Sequence, residues 1–212
     1  MNIGKSSFVL YAVTDRNCLQ GISLEDAVEQ AILGGAGIVQ LREKNISTDV
    51  LLAEARKLLK ICHSHNVPLI INDDYETALK CGADGVHVGI EDAPVAEIRR
   101  IAGSDFIIGA TAKTIEQARL AEGAGADYLG VGAVFPSPTK ANVKRITPEQ
   151  LKEICGSVSI PAVAIGGITA ANVSGIKGCG HSGAAVVSAV FGAKDVKAAA
   201  EELHRAVLAT II

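Results

Sequence analysis

Pro68-Leu69-Ile70-Ile71-Asn72-Asp73-Asp74 passes from a short apolar run directly into an amide and two carboxylates. An apolar run with no polar alternation suits a strand covered on both faces, and such strands belong to parallel sheets flanked by helices. The same event recurs along the chain. Eight β-type runs cover residues 8–13, 38–41, 68–71, 85–88, 106–108, 128–131, 161–165 and 184–187. Polar clusters sit where they end: Gln40-Leu41-Arg42-Glu43-Lys44, Asn72-Asp73-Asp74, Glu91-Asp92, Thr111, Ser137-Pro138-Thr139-Lys140, Gly166-Gly167 and Ser188. Helix-like segments follow these clusters, so one rim of a parallel sheet collects the polar chemistry. The repeat count, with nothing resembling a linker in 212 residues, favours a single-domain (β/α)8 TIM barrel over residues 1–212 rather than a doubly wound open sheet.

Composition narrows the function classes. Hydrophobic residues make up 49% of the chain while aromatics make up 3% and Trp is absent, so the core must be built from Val, Ile, Leu and Ala. The 20 basic and 23 acidic residues are dispersed and sum to a formal charge of −3, which argues against a nucleic-acid footprint. No apolar run approaches the ~18 residues of a membrane span. Residues 8–13 are too few, and too soon followed by Asp15, to act as a secretory signal. A cytoplasmic protein with small-molecule partners is expected, with no nucleic acid or membrane partner and with homo-oligomer formation left open. Cys18, Cys62, Cys81, Cys155 and Cys179 form no C-x-x-C pair and read as buried or half-buried free thiols.

Helix starts are marked by Ser23 with Asp26, Thr114 with Gln117, and Thr147-Pro148 with Gln150, the last combining an N-cap, Pro at the first helical position and a capping-box Gln. The turns Gly34-Gly35-Ala36-Gly37, Cys81-Gly82-Ala83-Asp84 and Gly123-Ala124-Gly125-Ala126-Asp127 lead out of helices into strands. They read as structural devices on the rim away from the chemistry.

The rim residues fall into two sets. Asp73 and Asp92 come from neighbouring strands, which lie ~4.8 Å apart, so they can share a Mg2+ that keeps other positions for water and substrate phosphate. Helix capping is the competing reading, favoured for Asp74 and evenly balanced for Asp73. Arg42 can fork two hydrogen bonds to a phosphate, and Lys44 and Lys140 supply point charges, the latter beside Thr139 in a long connection. Gly166-Gly167 and Val187-Ser188 occupy the places after strands seven and eight where barrels build a phosphate cup from backbone N–H groups and a helix N-terminus. Two anion sites result, one with metal and cations, the other with amides and hydroxyls. His87 reads as a hydrogen-bonded interior imidazole.

With these residues in place the chain resembles the thiamine phosphate synthase family. The likeness rests on Gln40-Leu-Arg-Glu-Lys44, Ile71-Asn-Asp-Asp74, Ala83-Asp-Gly-Val-His87, Gly125-Ala-Asp-Tyr128, Thr139-Lys140 and Val163-Ala-Ile-Gly-Gly-Ile168, in the family's order and spacing. Members are TIM barrels that join a hydroxymethylpyrimidine diphosphate to a thiazole phosphate and release pyrophosphate. The resemblance implies that Gln40, Leu41, Arg42, Glu43, Lys44, Asn72, Thr111 and Lys140 hold the diphosphate substrate. Among these, Arg42, Lys44, Thr111 and Lys140 would act in catalysis. It further implies that Asp73 and Asp92 bind Mg2+, and that Ser137, Pro138, Thr139, Gly167, Val187 and Ser188 hold the thiazole phosphate. Members typically carry Ser at Thr111, His at Lys113, Pro at Ala133, Thr at Ser137 and Asp at Asn142. The competing readings are a thiazole tautomerase of the same superfamily, which needs only the phosphate cup, a non-catalytic ligand-sensing barrel, and a sugar-phosphate isomerase, which needs a base that the sequence does not reveal.

Overall fold

The computed structural model describes residues 3–44, 46–136 and 145–211. Its strands are β1 (Leu10–Val13), β2 (Ile38–Leu41), β3 (Leu69–Asn72), β4 (Gly85–Val88), β5 (Ile107–Ala112), β6 (Tyr128–Gly132), β7 (Ala162–Ile165) and β8 (Gly183–Val186). Every neighbouring pair is parallel and β8 returns to β1, closing the barrel in sequence order. Packed around it are α1 (Leu24–Leu33), α2 (Thr48–Ser64), α3 (Tyr75–Cys81), α4 (Val95–Ala102), α5 (Ile115–Gly123), α6 (Pro148–Gly156), the single turn α7 (Ser188–Phe191) and α8 (Val196–Leu208). After β7 the chain makes only a 3-10 turn, Val173–Ile176, where Gly175 falls inside the element and Gly178 and Gly180 follow.

Two apolar layers follow from strand alternation. Tyr11, Val13, Ile38, Ile70, Ile107, Tyr128, Val163 and Ala185 fill the barrel interior, with Phe8 among them from a 3-10 turn that precedes β1. The alternate residues, among them Leu10, Val39, Leu69, Val86, Ile108 and Leu129, pack outward against the helices. All five cysteines pack in or against this outer layer, and all are free.

The expected helix starts are present. Ser23 accepts from Asp26 N at 3.0 Å, Thr114 from Gln117 N at 3.2 Å, and Thr147 and Gln150 form the reciprocal capping box. The repeated Ala-Asp of the lower turns has its own function: Asp84 accepts from Leu69 N at 2.9 Å and Asp127 from Ile108 N at 2.7 Å, so each carboxylate pins the start of the neighbouring strand. That device fixes β3 and β5, the strands that deliver Asn72 and Thr111 to the rim.

His181, just ahead of β8, is buried, with Nε2 3.0 Å from Thr210 Oγ1. Burial holds its pKa below the ordinary 6.5. The folded state therefore keeps it neutral while the unfolded chain takes up a proton. The stability it contributes is present above about pH 6.5 and is lost as pH falls through the folded value. Thermal midpoints should decline from about pH 7 towards about pH 5, and His181→Asn should flatten that slope; an unchanged slope would contradict the assignment.

Candidate active site

At the C-terminal ends of the strands lies a cavity of about 1230 Å³, lined by residues from β1 to β8 and the turns that follow them. That exceeds the ~300–1,000 Å³ usual for one small ligand, so two fit together. Among the described residues Arg42, Lys44, Lys113 and Arg145 bring positive charge to its wall, and Asp73, Glu91 and Asp92 bring negative charge.

Gln40, Arg42 and Lys44 line the cavity because alternate residues of an extended chain face the same side. The Arg42 backbone is fixed by an N–H bond to Thr14 Oγ1 at 2.9 Å, and its guanidinium lies 3.9 Å from Asp15 Oδ2. Leu41 and Glu43 project the other way. Leu41 is fully buried in the layer beneath the helices, and Glu43 Oε1 lies 3.5 Å from Arg16 Nε, where burial pushes its carboxyl pKa up. Included among the expected substrate contacts, these two can offer a cavity ligand only their backbone groups.

On the next strands the polypeptide makes a tight exit. Asp73 adopts φ 63°, in the left-handed region uncommon for a residue other than glycine, and its N–H bonds to His87 O at 2.8 Å. The Asn72 amide donates to Asp73 Oδ2 at 2.6 Å. Asp74 caps α3, accepting from Thr77 N at 2.8 Å and from Thr77 Oγ1 at 2.6 Å, as the capping reading expected. Asp92 accepts from Gly89 N at 2.7 Å. Asp73 and Asp92 thus line the same cavity from adjacent strands, each already oriented by a hydrogen bond. A pair of carboxylates open to solvent is a donor set that suits Mg2+, which keeps the rest of its shell for water and phosphate oxygens.

Thr111 belongs to β5 itself, not to a loop after it, and also lines the cavity. Across the barrel, Gly166 and Gly167 take φ of 103° and 64°, and a side chain at Gly167 would collide with the Pro136 carbonyl. The turn is held by the Asn172 amide, which donates to Gly167 O at 2.8 Å, and by Thr169 N bonding Asn172 Oδ1 at 2.8 Å. Val187 and Ser188 then open α7 and line the same cavity as these glycines. Ser137, Pro138, Thr139, Lys140 and Asn142 lie outside the described residues.

The sequence reading passed over Tyr11 and Arg145 and noted Lys113 only as a departure from the family's His; all three line the cavity. Tyr11 was legible in principle as the inward partner of Val13 on β1; Lys113 and Arg145 sit outside any recognisable cluster. His87, expected as an interior imidazole, has hydrogen-bond partners on both ring nitrogens and reaches the cavity floor.

A closed (β/α)8 barrel with cations and carboxylates on one side of its C-terminal mouth, and a glycine turn beside a one-turn helix on the other, is a phosphate-binding enzyme barrel. Residues 10–190 match the thiamine monophosphate synthase family, and the chain belongs to it. The thiamine-phosphate synthase of Ruminiclostridium cellulolyticum is 48% identical over 199 residues, covering 94% of this chain and 95% of that protein. The chloroplastic thiamine biosynthetic bifunctional enzyme of Arabidopsis thaliana is 49% identical over 92% of this chain and 38% of its own length. The solved thiamine phosphate pyrophosphorylase from Pyrococcus furiosus superposes with a TM-score of 0.90 at 38% identity, covering 98% of this chain and 99% of that one. The chain is thus similar to single-function synthases along their whole length.

Proposed function

We propose that the protein is a Mg2+-dependent thiamine phosphate synthase, a transferase that joins a hydroxymethylpyrimidine diphosphate to a thiazole phosphate. The observation that carries this reading is that one cavity is lined by two unlike polar walls, each suited to an anion, on opposite sides of the barrel. Gln40, Arg42, Lys44, Asn72, Asp73, Asp92 and Thr111 come from β2 to β5, and Gly166, Gly167, Val187 and Ser188 follow β7 and β8.

In the reaction the thiazole nitrogen lone pair forms a bond to the pyrimidine methylene carbon while the bond from that carbon to diphosphate oxygen breaks, its electron pair leaving with pyrophosphate. No base is needed. The protein must hold two ligands with the reacting atoms in line, and neutralise charge that grows on the leaving group. Arg42 and Lys44 line the cavity beside Asn72 and Thr111; the two cations would meet the diphosphate, and the amide and hydroxyl would donate N–H and O–H groups to it. Asp73 and Asp92 would hold Mg2+, which when bound supplies further neutralisation of the diphosphate. The backbone N–H groups around Gly167 and Ser188 would receive the thiazole phosphate. Lys140, read from the sequence as a further cation for the diphosphate, gives its own expected result: Lys140→Ala lowers turnover far more than thermal stability, and near-normal activity removes it from the mechanism.

A thiazole tautomerase would use the phosphate cup and leave Asn72, Asp73 and Asp92 without a role. Both substrates are phosphorylated and cannot cross a membrane unaided, which supports a cytoplasmic location; among the described residues no helix is long and apolar enough to span one. The test is incubation of the protein with both substrates, followed by separate assays for thiamine phosphate and pyrophosphate. Equal amounts of the two are expected, and failure to form either excludes the reading.

A further inference from the structure

Beneath the cavity a chain of side-chain hydrogen bonds crosses the barrel interior. Gln40 Nε2 donates to the Tyr11 hydroxyl at 2.7 Å, the Tyr11 and Tyr128 hydroxyls lie 2.7 Å apart, Tyr128 OH lies 3.1 Å from His87 Nδ1, and His87 Nε2 lies 3.1 Å from Thr111 Oγ1. The five residues come from β2, β1, β6, β4 and β5, so nothing local in the sequence joins them. Space for the chain is built in. A side chain at Gly109 would fall on the Tyr128 hydroxyl and on His87 Nδ1, and one at Gly130 would lie 3.0 Å from His87 Cε1.

Each hydroxyl has one proton but can accept more than once, so the direction is set by the buried Tyr11 proton, for which Tyr128 is the acceptor at hand once Gln40 donates to Tyr11. The Tyr11 oxygen accepts from Gln40, and its own proton is then available to Tyr128. Tyr128 accepts it and turns its proton to His87 Nδ1. An imidazole that accepts at Nδ1 carries its hydrogen on Nε2, and donates it to Thr111 Oγ1. Thr111 is left with its proton for the cavity. Burial raises the pKa of both phenols well above the ordinary 10, so neither loses the proton that the chain needs.

We infer that Gln40, Tyr11, Tyr128 and His87 form a one-way hydrogen-bond relay that fixes the Thr111 hydroxyl as a donor to a phosphoryl oxygen in the cavity. A phosphoryl oxygen is an acceptor, so a threonine that spent its proton on the imidazole would present only lone pairs to an anion. The relay prevents that arrangement. Tyr11, Tyr128 and His87 are positioning residues in this scheme and act on the ligand through Thr111. The identity of the acceptor rests on the proposed function; the polarity of the relay does not.

Two measurements test it. Nitrogen-15 NMR of histidine-labelled, ligand-free protein should show His87 as the neutral Nε2–H tautomer, and Tyr128→Phe should convert it to a mixture of tautomers. An Nδ1–H tautomer in the unmodified protein overturns the relay. Calorimetric titration with inorganic pyrophosphate and Mg2+ should then show Tyr128→Phe and Thr111→Val each weakening binding about tenfold, with the double variant no weaker than Thr111→Val alone. Losses that simply multiply would assign Tyr128 a structural role and refute the coupling. Should Tyr128→Phe not fold, Tyr11→Phe breaks the relay one bond earlier and is read in the same way. An unmodified protein that binds no pyrophosphate would remove the diphosphate reading, while the tautomer measurement still decides the relay.

Discussion

Arg42→Ala lowers kcat/KM by about 10²–10³-fold, with a change of only a few degrees in the thermal midpoint. The guanidinium stands on the last extended residues of the β2 segment, lines the cavity, and is held from behind by Asp15 at 3.9 Å, while its backbone is anchored to Thr14. Its side chain is 13% exposed, so a bond to phosphate there is shielded from water on most sides. Removing one partner of a partly buried charge pair costs about 2–5 kcal/mol, and the charge it meets grows as the diphosphate departs, so the loss appears in kcat as well as in KM. Stability changes little because the Asp15 carboxylate keeps the Asn17 N–H at 3.0 Å. Arg42→Lys should recover only part of the activity, since an ammonium retains the charge but not the two-pronged geometry. Steady-state kinetics of both variants check this, and activity within about threefold of the parent for Arg42→Ala would remove the guanidinium from the site.

Gly109→Ala should cost about 3 kcal/mol of folding stability, measured by urea unfolding. The added methyl would occupy the place of the Tyr128 hydroxyl and the His87 ring edge, and Tyr128 is fully buried. Overpacking alone accounts for about 1–3 kcal/mol. The rest comes from breaking the buried hydrogen bond between Tyr128 and His87, at about 1–3 kcal/mol. A loss below about 1 kcal/mol would mean that the interior can expand around this strand. Pyrophosphate affinity should fall in the same variant, because the Thr111 donor depends on the bonds that the methyl displaces.

Much of the barrel was legible because burial on both faces leaves unbroken apolar runs. Residues 38–41 and 85–88 coincide with β2 and β4, and the capping signals at Ser23, Thr114 and Thr147 all operate. The sequence understated β5, where the apolar run ends at Ile108 but pairing continues to Ala112. Gly109-Ala110-Thr111-Ala112 carries little intrinsic strand preference; β4 and β6 impose the conformation from both sides, and small residues are required because His87 and Tyr128 occupy the space. At the other end of the chain's reading, Phe8 belongs to a 3-10 turn that plugs the barrel floor and not to β1.

For the site, strand alternation could have separated Gln40, Arg42 and Lys44 from Leu41 and Glu43 before any coordinates were known. The carboxylate cap of Asp74 was likewise visible from its place ahead of α3. The link from Gln40 to Thr111 was not. It arises only when five strands converge, and each of its members, taken singly, reads as an ordinary interior polar residue.

In the proposed mechanism Asp73 and Asp92 together would place Mg2+ against a departing diphosphate. The direct measurement is initial-rate pyrophosphate release from the two substrates across a Mg2+ titration, for the parent protein, Asp73→Asn and Asp92→Asn. No release is expected after chelation, with full recovery on adding Mg2+ back and a shift of the titration to at least tenfold higher Mg2+ in each variant. Release that persists in chelator, or titrations that superimpose for all three proteins, would contradict that mechanism.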